Sequence, residues 1–296
     1  MIIVKLISGL GNQLFQYAIG RQLSITNKVP LKLDTSFFKD QNLRSYKLDH
    51  YNINAEIASE EEVAKFLNIY KKKNLAARIY RGIERRMPKQ RSRYFKENEW
   101  WVYEPELLKV SGTAYIEGYW QHYKYFENIN PEITRELTLK DWYDLQLQKM
   151  VAEISNNSSS VSLHIRRGDY ISDPKAGSFM GVLPLEYYNK AIRYISQHLK
   201  DPSYYIFSDE LDWVKDNLKS DAPMQFVDVE GGNKDYIELD MMSRCSHNVI
   251  ANSSFSWWGA FLNRNPDKIV IAPDKWVIPP DINTRIQLQF PSWVKL

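Results

Sequence analysis

Residues 162–170, Ser-Leu-His-Ile-Arg-Arg-Gly-Asp-Tyr, put two arginines where an apolar run ends. Alternation along a strand places His164 and Arg166 on one side, with Arg166 and Arg167 at its carboxyl end. An arginine there can grip a diphosphate through two parallel charge-assisted hydrogen bonds, worth about 1.5–3 kcal/mol each. Asp169 is placed to orient one guanidinium, and the same residues also read as a buried ion pair. The embedded Arg-Gly-Asp is too short to carry an adhesion reading. Residues 251–260, Ala-Asn-Ser-Ser-Phe-Ser-Trp-Trp-Gly-Ala, follow a second apolar run. Asn252, Ser253 and Ser254 are favoured helix N-caps, and hydroxyls beside free N–H groups at a helix start also make an anion site. Trp257 and Trp258 read as packed core.

Three weaker signals accompany these. Gly9-Leu10-Gly11-Asn12-Gln13 follows a strand-like run and opens a helix, so Gly9, Gly11 and Asn12 could bring backbone N–H groups close to a phosphate. Leu14 stands where a dinucleotide fingerprint needs glycine, and no Gly-Lys-Ser/Thr follows. Asp209, in Phe-Ser-Asp-Glu, reads as a helix cap or as an acceptor for a purine edge. Asp228-Val229-Glu230 resembles a metal-binding pair of acids, but reads better as a polar loop.

The elements that must position these residues alternate. A strand at 2–7, a helix from Gln13 to about Ser24 and a strand at 29–33 make a β-α-β opening. Residues 56–96 read as helical and basic, 114–117 as strand and 131–152 as helix. After a polar run at 155–160, read as a linker, strands at 161–165, 204–207, 225–227, 249–251 and 268–271 alternate with helices at 184–200, 211–218, 235–245 and 255–262. That alternation predicts parallel sheets that bind ligands at the carboxyl ends of their strands. The expected class is α/β, with domains at 1–155 and 156–296.

Bulk properties exclude some functions. The 296 residues suit two domains. Cys245 is the single cysteine, so no intrachain disulfide forms, and a cytoplasmic, reducing setting is expected. The start of the chain reads as a strand rather than a signal peptide, and no apolar run is long enough for a membrane span. Residues 71–96 hold eleven Lys/Arg against one acid. This window therefore carries +10, and the rest of the chain, whose total is +3, carries −7. The window is either a solvated face or a peripheral contact with an anionic membrane. No nucleic-acid motif accompanies it.

Taken in order, the clusters resemble glycosyltransferase family 11, the α-1,2-fucosyltransferases. Gly9 to Tyr17 match its opening motif, His164 to Asp169 its H-x-R-R-G-D, and Asn252 to Ala260 its N-S-[ST]-F-S-W-W-G-A. Gly118-Tyr119-Trp120-Gln121 with Tyr125-Phe126 match a fourth segment. The resemblance implies a GT-B-like fold of two Rossmann-like domains facing a cleft, with GDP-fucose on the C-terminal half and a β-galactoside acceptor glycan on the N-terminal half. It also implies inversion at the sugar carbon and no metal or other cofactor. Arg166 is expected on the diphosphate, His164 beside the nucleotide, Ser253, Ser254 and Phe255 around the phosphates, and Asn12 reaching the diphosphate or fucose. Asp34 and Glu117 are the candidate bases for the acceptor proton, each also readable as structural. The rival readings are a nucleotide-sugar-binding protein without turnover, a transferase with another donor such as GDP-mannose, and a membrane or adhesion module.

Overall fold

The computed structural model describes residues 1–39, 43–71, 74–75, 78–79, 82, 92–140, 145–229 and 234–296. Most of the basic run at 71–96 lies outside them, as does Glu230. The chain divides into two compact units, Met1–Thr138 and Leu139–Leu296.

The first unit runs β1 (Ile2–Lys5), α1 (Leu10–Asn27), β2 (Leu31–Asp34), β3 (Glu56–Ile57), α2 (Glu60–Lys71), β4 (Tyr94–Lys96), β5 (Ala114–Glu117) and α3 (Asn130–Glu136). Its sheet has the order β3-β2-β1-β5-β4, with every pairing parallel. Central β1 is apolar on both faces and almost wholly buried, as a parallel strand covered on both sides must be. The strand order reverses between β1 and β5, so the turns after these two strands are neighbours.

The second unit runs α4 (Leu145–Asn156), β6 (Ser160–Ile165), α5 (Gly168–Ser172), α6 (Pro174–Met180), α7 (Leu185–His198), β7 (Ser203–Ser208), α8 (Leu211–Asn217), β8 (Met224–Phe226), α9 (Asp235–Arg244), β9 (His247–Val249), α10 (Ser254–Leu262), β10 (Val270–Ala272), α11 (Pro280–Asn283) and β11 (Val294–Lys295). Its parallel sheet has the order β8-β7-β6-β9-β10-β11. In strand number this is 3-2-1-4-5-6, the Rossmann order, and it switches between β6 and β9. Period two is visible in β7. Tyr204 and Ile206 join α7 in one core, while Tyr205 and Phe207 join α4 and α9 in the other.

Several expectations change. The boundary falls at 138/139 because Leu147, Val151 and Ile154 of α4 pack with Ile237, Met241 and Met242 of α9. The run at 155–160 is not a linker: its first two residues end α4, 157–159 form a tight, bonded turn, and Ser160 begins β6. Asn157 Oδ1 accepts from Ser159 N (2.9 Å), and the fully buried Ser160 donates from Oγ to Ile154 O (3.0 Å). The expected helix at 131–152 is two helices, α3 and α4. The stretch at 56–96 includes two strands, β3 and β4, beside α2. Helix α1 begins at Leu10, so Gly11 and Asn12 lie in its first turn and Gly9 is its N-cap. Cys245 is buried core, as are Trp257 and Trp258. Among the described residues, no helix is long and apolar enough to cross a membrane.

Candidate active site

Strand β6 is buried along its whole length and delivers Arg166 to the switch point. The Arg166 guanidinium meets Asp169 twice, Nε at 2.8 Å and Nη2 at 2.7 Å, and its Nη1 lies 3.1 Å from Asp209. The two carboxylates fix the guanidinium at the switch point, where its planar fork of N–H donors suits an anion. Burial works against the charge, and the two carboxylates outweigh that and keep the group cationic. Asp209 also accepts from the backbone N–H of Arg167 (3.0 Å) and Gly168 (3.1 Å). A Cβ on Gly168 would stand 2.8 Å from Asp209 Oδ2, so glycine is required where this turn closes on the carboxylate. Asp209 is therefore committed to shaping the loop rather than left open for a purine edge.

Arg167 turns away from Arg166. Its Nε donates to Glu210 (2.9 Å), and its guanidinium lies 3.4 Å from the ring centre of Trp213. Beside it, Asp209 to Trp213, Lys215 and Asp228 line an open recess of about 550 Å³. Buried His164 lies under the loop with its ring 5.6 Å from Phe255, and its Nδ1 has no hydrogen-bond partner. Burial, then the nearby Arg166, pushes its pKa well down and keeps the ring neutral.

Across the switch point, Ser253 caps α10 by accepting from Phe255 N at 3.3 Å, and Ser254 is the first residue of that helix. The start of α10 carries the positive end of the helix dipole, with the Phe255 N–H taken up by the Ser253 cap. Tyr170 ties the two loops together by donating to Asn252 O (3.0 Å). The Asn252 Nδ2 reaches the carbonyls of Met180, Gly181 and Trp276 at 2.8–3.2 Å and so props these segments together, while its buried Oδ1 has no hydrogen-bond partner.

The first unit has a corresponding cluster at its own switch point. Asn12 Nδ2 donates to Ser8 Oγ (2.9 Å), and Asn12 Oδ1 accepts from Gln121. Gln121 Oε1 in turn accepts from Trp101 Nε1 at 2.5 Å. Gln16 bridges the two turns, from Ile7 N (2.9 Å) to Gly118 O (3.0 Å), and Gln13 pins the segment at 45–47. The polar residues of the opening motif are thus mostly scaffold that presents Asn12. Ser8, Trp101 and Trp120 all have left-handed φ, at 68°, 62° and 55°. Such conformations cost about 1–3 kcal/mol each and gather where a loop is shaped for use.

The two candidate bases are engaged elsewhere. Asp34 is buried and accepts from Tyr115 OH (2.5 Å) and Ser36 N (2.9 Å). Glu117 pairs with Lys5 (3.2 Å) and accepts from Tyr94 OH (2.7 Å). Two other acids take on the unusual chemistry. Burial pushes Glu238 of α9 up to about 7, helped by Asp235, Asp228 and Asp209 and opposed by Arg166. Burial likewise raises Glu97, after β4, to about 7. Neither lies in a motif, and both gain their meaning from residues distant in the chain. In sequence Glu238 is an acid between Ile237 and Leu239, and Glu97, between Lys96 and Asn98, carries no such signal. Among the described residues, no three His, Cys, Asp or Glu side chains converge as a metal-binding group.

Comparison with known proteins agrees with this architecture. The chain is 34% identical over 307 residues to the O-antigen biosynthesis glycosyltransferase WbnK of Escherichia coli, covering 97% of this chain and 98% of that one. It is 32% identical over 291 residues to an Escherichia coli alpha-1,2-colitosyltransferase, covering 96% and 95%. In fold it is similar to NodZ alpha-1,6-fucosyltransferase soaked with GDP-fucose, with a TM-score of 0.52 over 88% of this chain and 91% of that one at 14% identity. The α/β, GT-B-like class expected from the sequence is borne out. The description Glycosyl transferase family 11 matches residues 1–295, and the chain belongs to that family.

Proposed function

We propose that this glycosyltransferase moves L-fucose from GDP-fucose to the 2-hydroxyl of a terminal β-galactoside, with inversion at the sugar carbon. The observation that carries the reading is Arg166, held as a cation by Asp169 and Asp209 at the β6/β9 switch point, in the loop that Tyr170 ties to the segment before α10. As the bond from fucose C1 to the diphosphate breaks, the electron pair leaves with GDP and the sugar develops oxocarbenium character. Arg166 and the positive N-terminal end of α10 stabilise the departing charge without needing a metal ion. The acceptor oxygen bonds C1 from the opposite face. Asp34 and Glu117 hold hydrogen bonds within the first unit, so the acceptor proton is released on that same face, to water, as the new bond forms. Asn12 of the first unit contacts the donor, and the basic run at 71–96 contacts an anionic surface that carries the acceptor.

A second reading rests on the 32% identical relative: transfer of colitose, which is L-fucose without its 3-hydroxyl. Competition between the two GDP-sugars separates them. Preference for GDP-fucose in kcat/KM supports fucose transfer, and preference for the 3-deoxy donor replaces it.

A further inference from the structure

Glu97 follows β4 immediately and is 8% exposed. One carboxylate oxygen accepts from the backbone N–H of Tyr119 (2.7 Å), and the other from that of Trp120 (3.0 Å). A Cβ on Gly118 would stand 2.4 Å from Glu97 Cβ, so the turn after β5 is pressed against this side chain. The next residue is Gln121, whose amide donates to Asn12 Oδ1 while its own oxygen accepts from Trp101 Nε1. Ser8 holds the other end of the Asn12 carboxamide. Glu97 therefore grips the backbone one residue before the side chain that orients Asn12.

We infer that Glu97 is a positioning residue of the transfer reaction: it fixes the turn at 118–121 and, through Gln121, the carboxamide of Asn12. The inference rests on the reading above, in which Asn12 contacts the donor. Only the carboxylate offers both N–H groups a full acceptor, because protonation turns one oxygen into a hydroxyl. Burial raises the pKa of Glu97, the two N–H bonds lower it, and Glu104 raises it again, leaving it at about 7. Its charged and titratable surroundings are Glu104 and the phenols of Tyr119 and Tyr125, both of which its charge helps to raise. Across the strand pair, Glu117 is already neutralised by Lys5.

The test is a kcat–pH profile of the wild type, Glu97→Gln and Glu97→Asp, paired with the amide resonances of Tyr119 and Trp120. In the wild type, kcat rises through about pH 7 and both amides shift with the same midpoint. Glu97→Gln loses about 10- to 100-fold in kcat and loses that limb, with KM for both substrates little changed. Glu97→Asp recovers the limb. Amides that titrate while Glu97→Gln keeps wild-type kcat and pH profile would overturn the role and leave the transferase reading intact. A wild type that transfers no sugar ends that reading and, with it, the role in turnover. The amides then decide the hold on the turn alone: a titration lost in Glu97→Gln establishes it, and none in the wild type removes it.

Discussion

His164 in β6 and Arg166 just past its end do opposite things with charge. Arg166 is kept cationic by two carboxylates that also hold its guanidinium in place. Replacing it by alanine should cost about 10²–10³ in turnover, the range for a lost oxyanion donor. Lysine should not restore it, because an ammonium cannot span Asp169, Asp209 and a phosphate in one plane. Steady-state turnover of both variants checks this, and near-wild-type rates would remove Arg166 from the chemistry. His164 is held neutral by burial and then by Arg166. Its folded pKa lies below the ordinary value of about 6.5, so the unfolded chain binds the extra proton first. Its stabilising share is complete above that value and is lost as pH falls through it. Between pH 7 and 5 the wild type should lose more stability in urea than His164→Gln does, and equal losses would contradict the burial argument. The sequence showed these two residues because His164 lies in β6 and Arg166 directly follows it, where alternation can be counted. It did not show Glu97 or Glu238, whose surroundings come from distant segments: the backbone of Tyr119 and Trp120 in one case, and Asp228, Asp209 and Arg166 in the other.

The elements matter through the turns between them. Both sheets reverse order beside their first strand, β1 against β5 and β6 against β9, and the motif residues sit in the turns that follow. Alternating strands and helices were legible in the sequence, but strand order was not, since no local pattern says which strand lies beside which. The start of α1 was misplaced because Gly9 and Gly11 suggested an open turn, whereas Gly9 O accepts from Asn12 N and Gln13 N and begins a helix. The loop after β6 depends on Gly168 lying directly against Asp209. Gly168→Ala should therefore cost about 1–3 kcal/mol by overpacking and should raise KM for the donor by moving Arg166. Denaturation and donor titration read the two effects separately, and an unaffected KM would mean that the loop tolerates the methyl group.

At the scale of the whole molecule, the boundary at 138/139 makes a claim about autonomy. Helix α4 completes the second core with Leu147, Val151 and Ile154. Burial of each is worth about 1.5–3 kcal/mol, which together rivals the about 5–15 kcal/mol that holds a domain folded. A fragment from 139 to 296 should unfold cooperatively and bind GDP, while one from 156 to 296 should do neither. Equal behaviour would restore the boundary expected from the polar run. That run misled because Ser159 and Ser160, polar in composition, are committed to a bonded turn inside the unit. The central claim is transfer of fucose, and one reaction tests it most directly: GDP-fucose with a β-galactoside such as lactose, in the presence of EDTA, with products followed by mass spectrometry and the new anomeric centre by NMR. The account predicts a fucosylated product, α-linked at the galactose 2-hydroxyl, with GDP released in equal amount. GDP-fucose left intact, or hydrolysed without a fucosylated product, would contradict it.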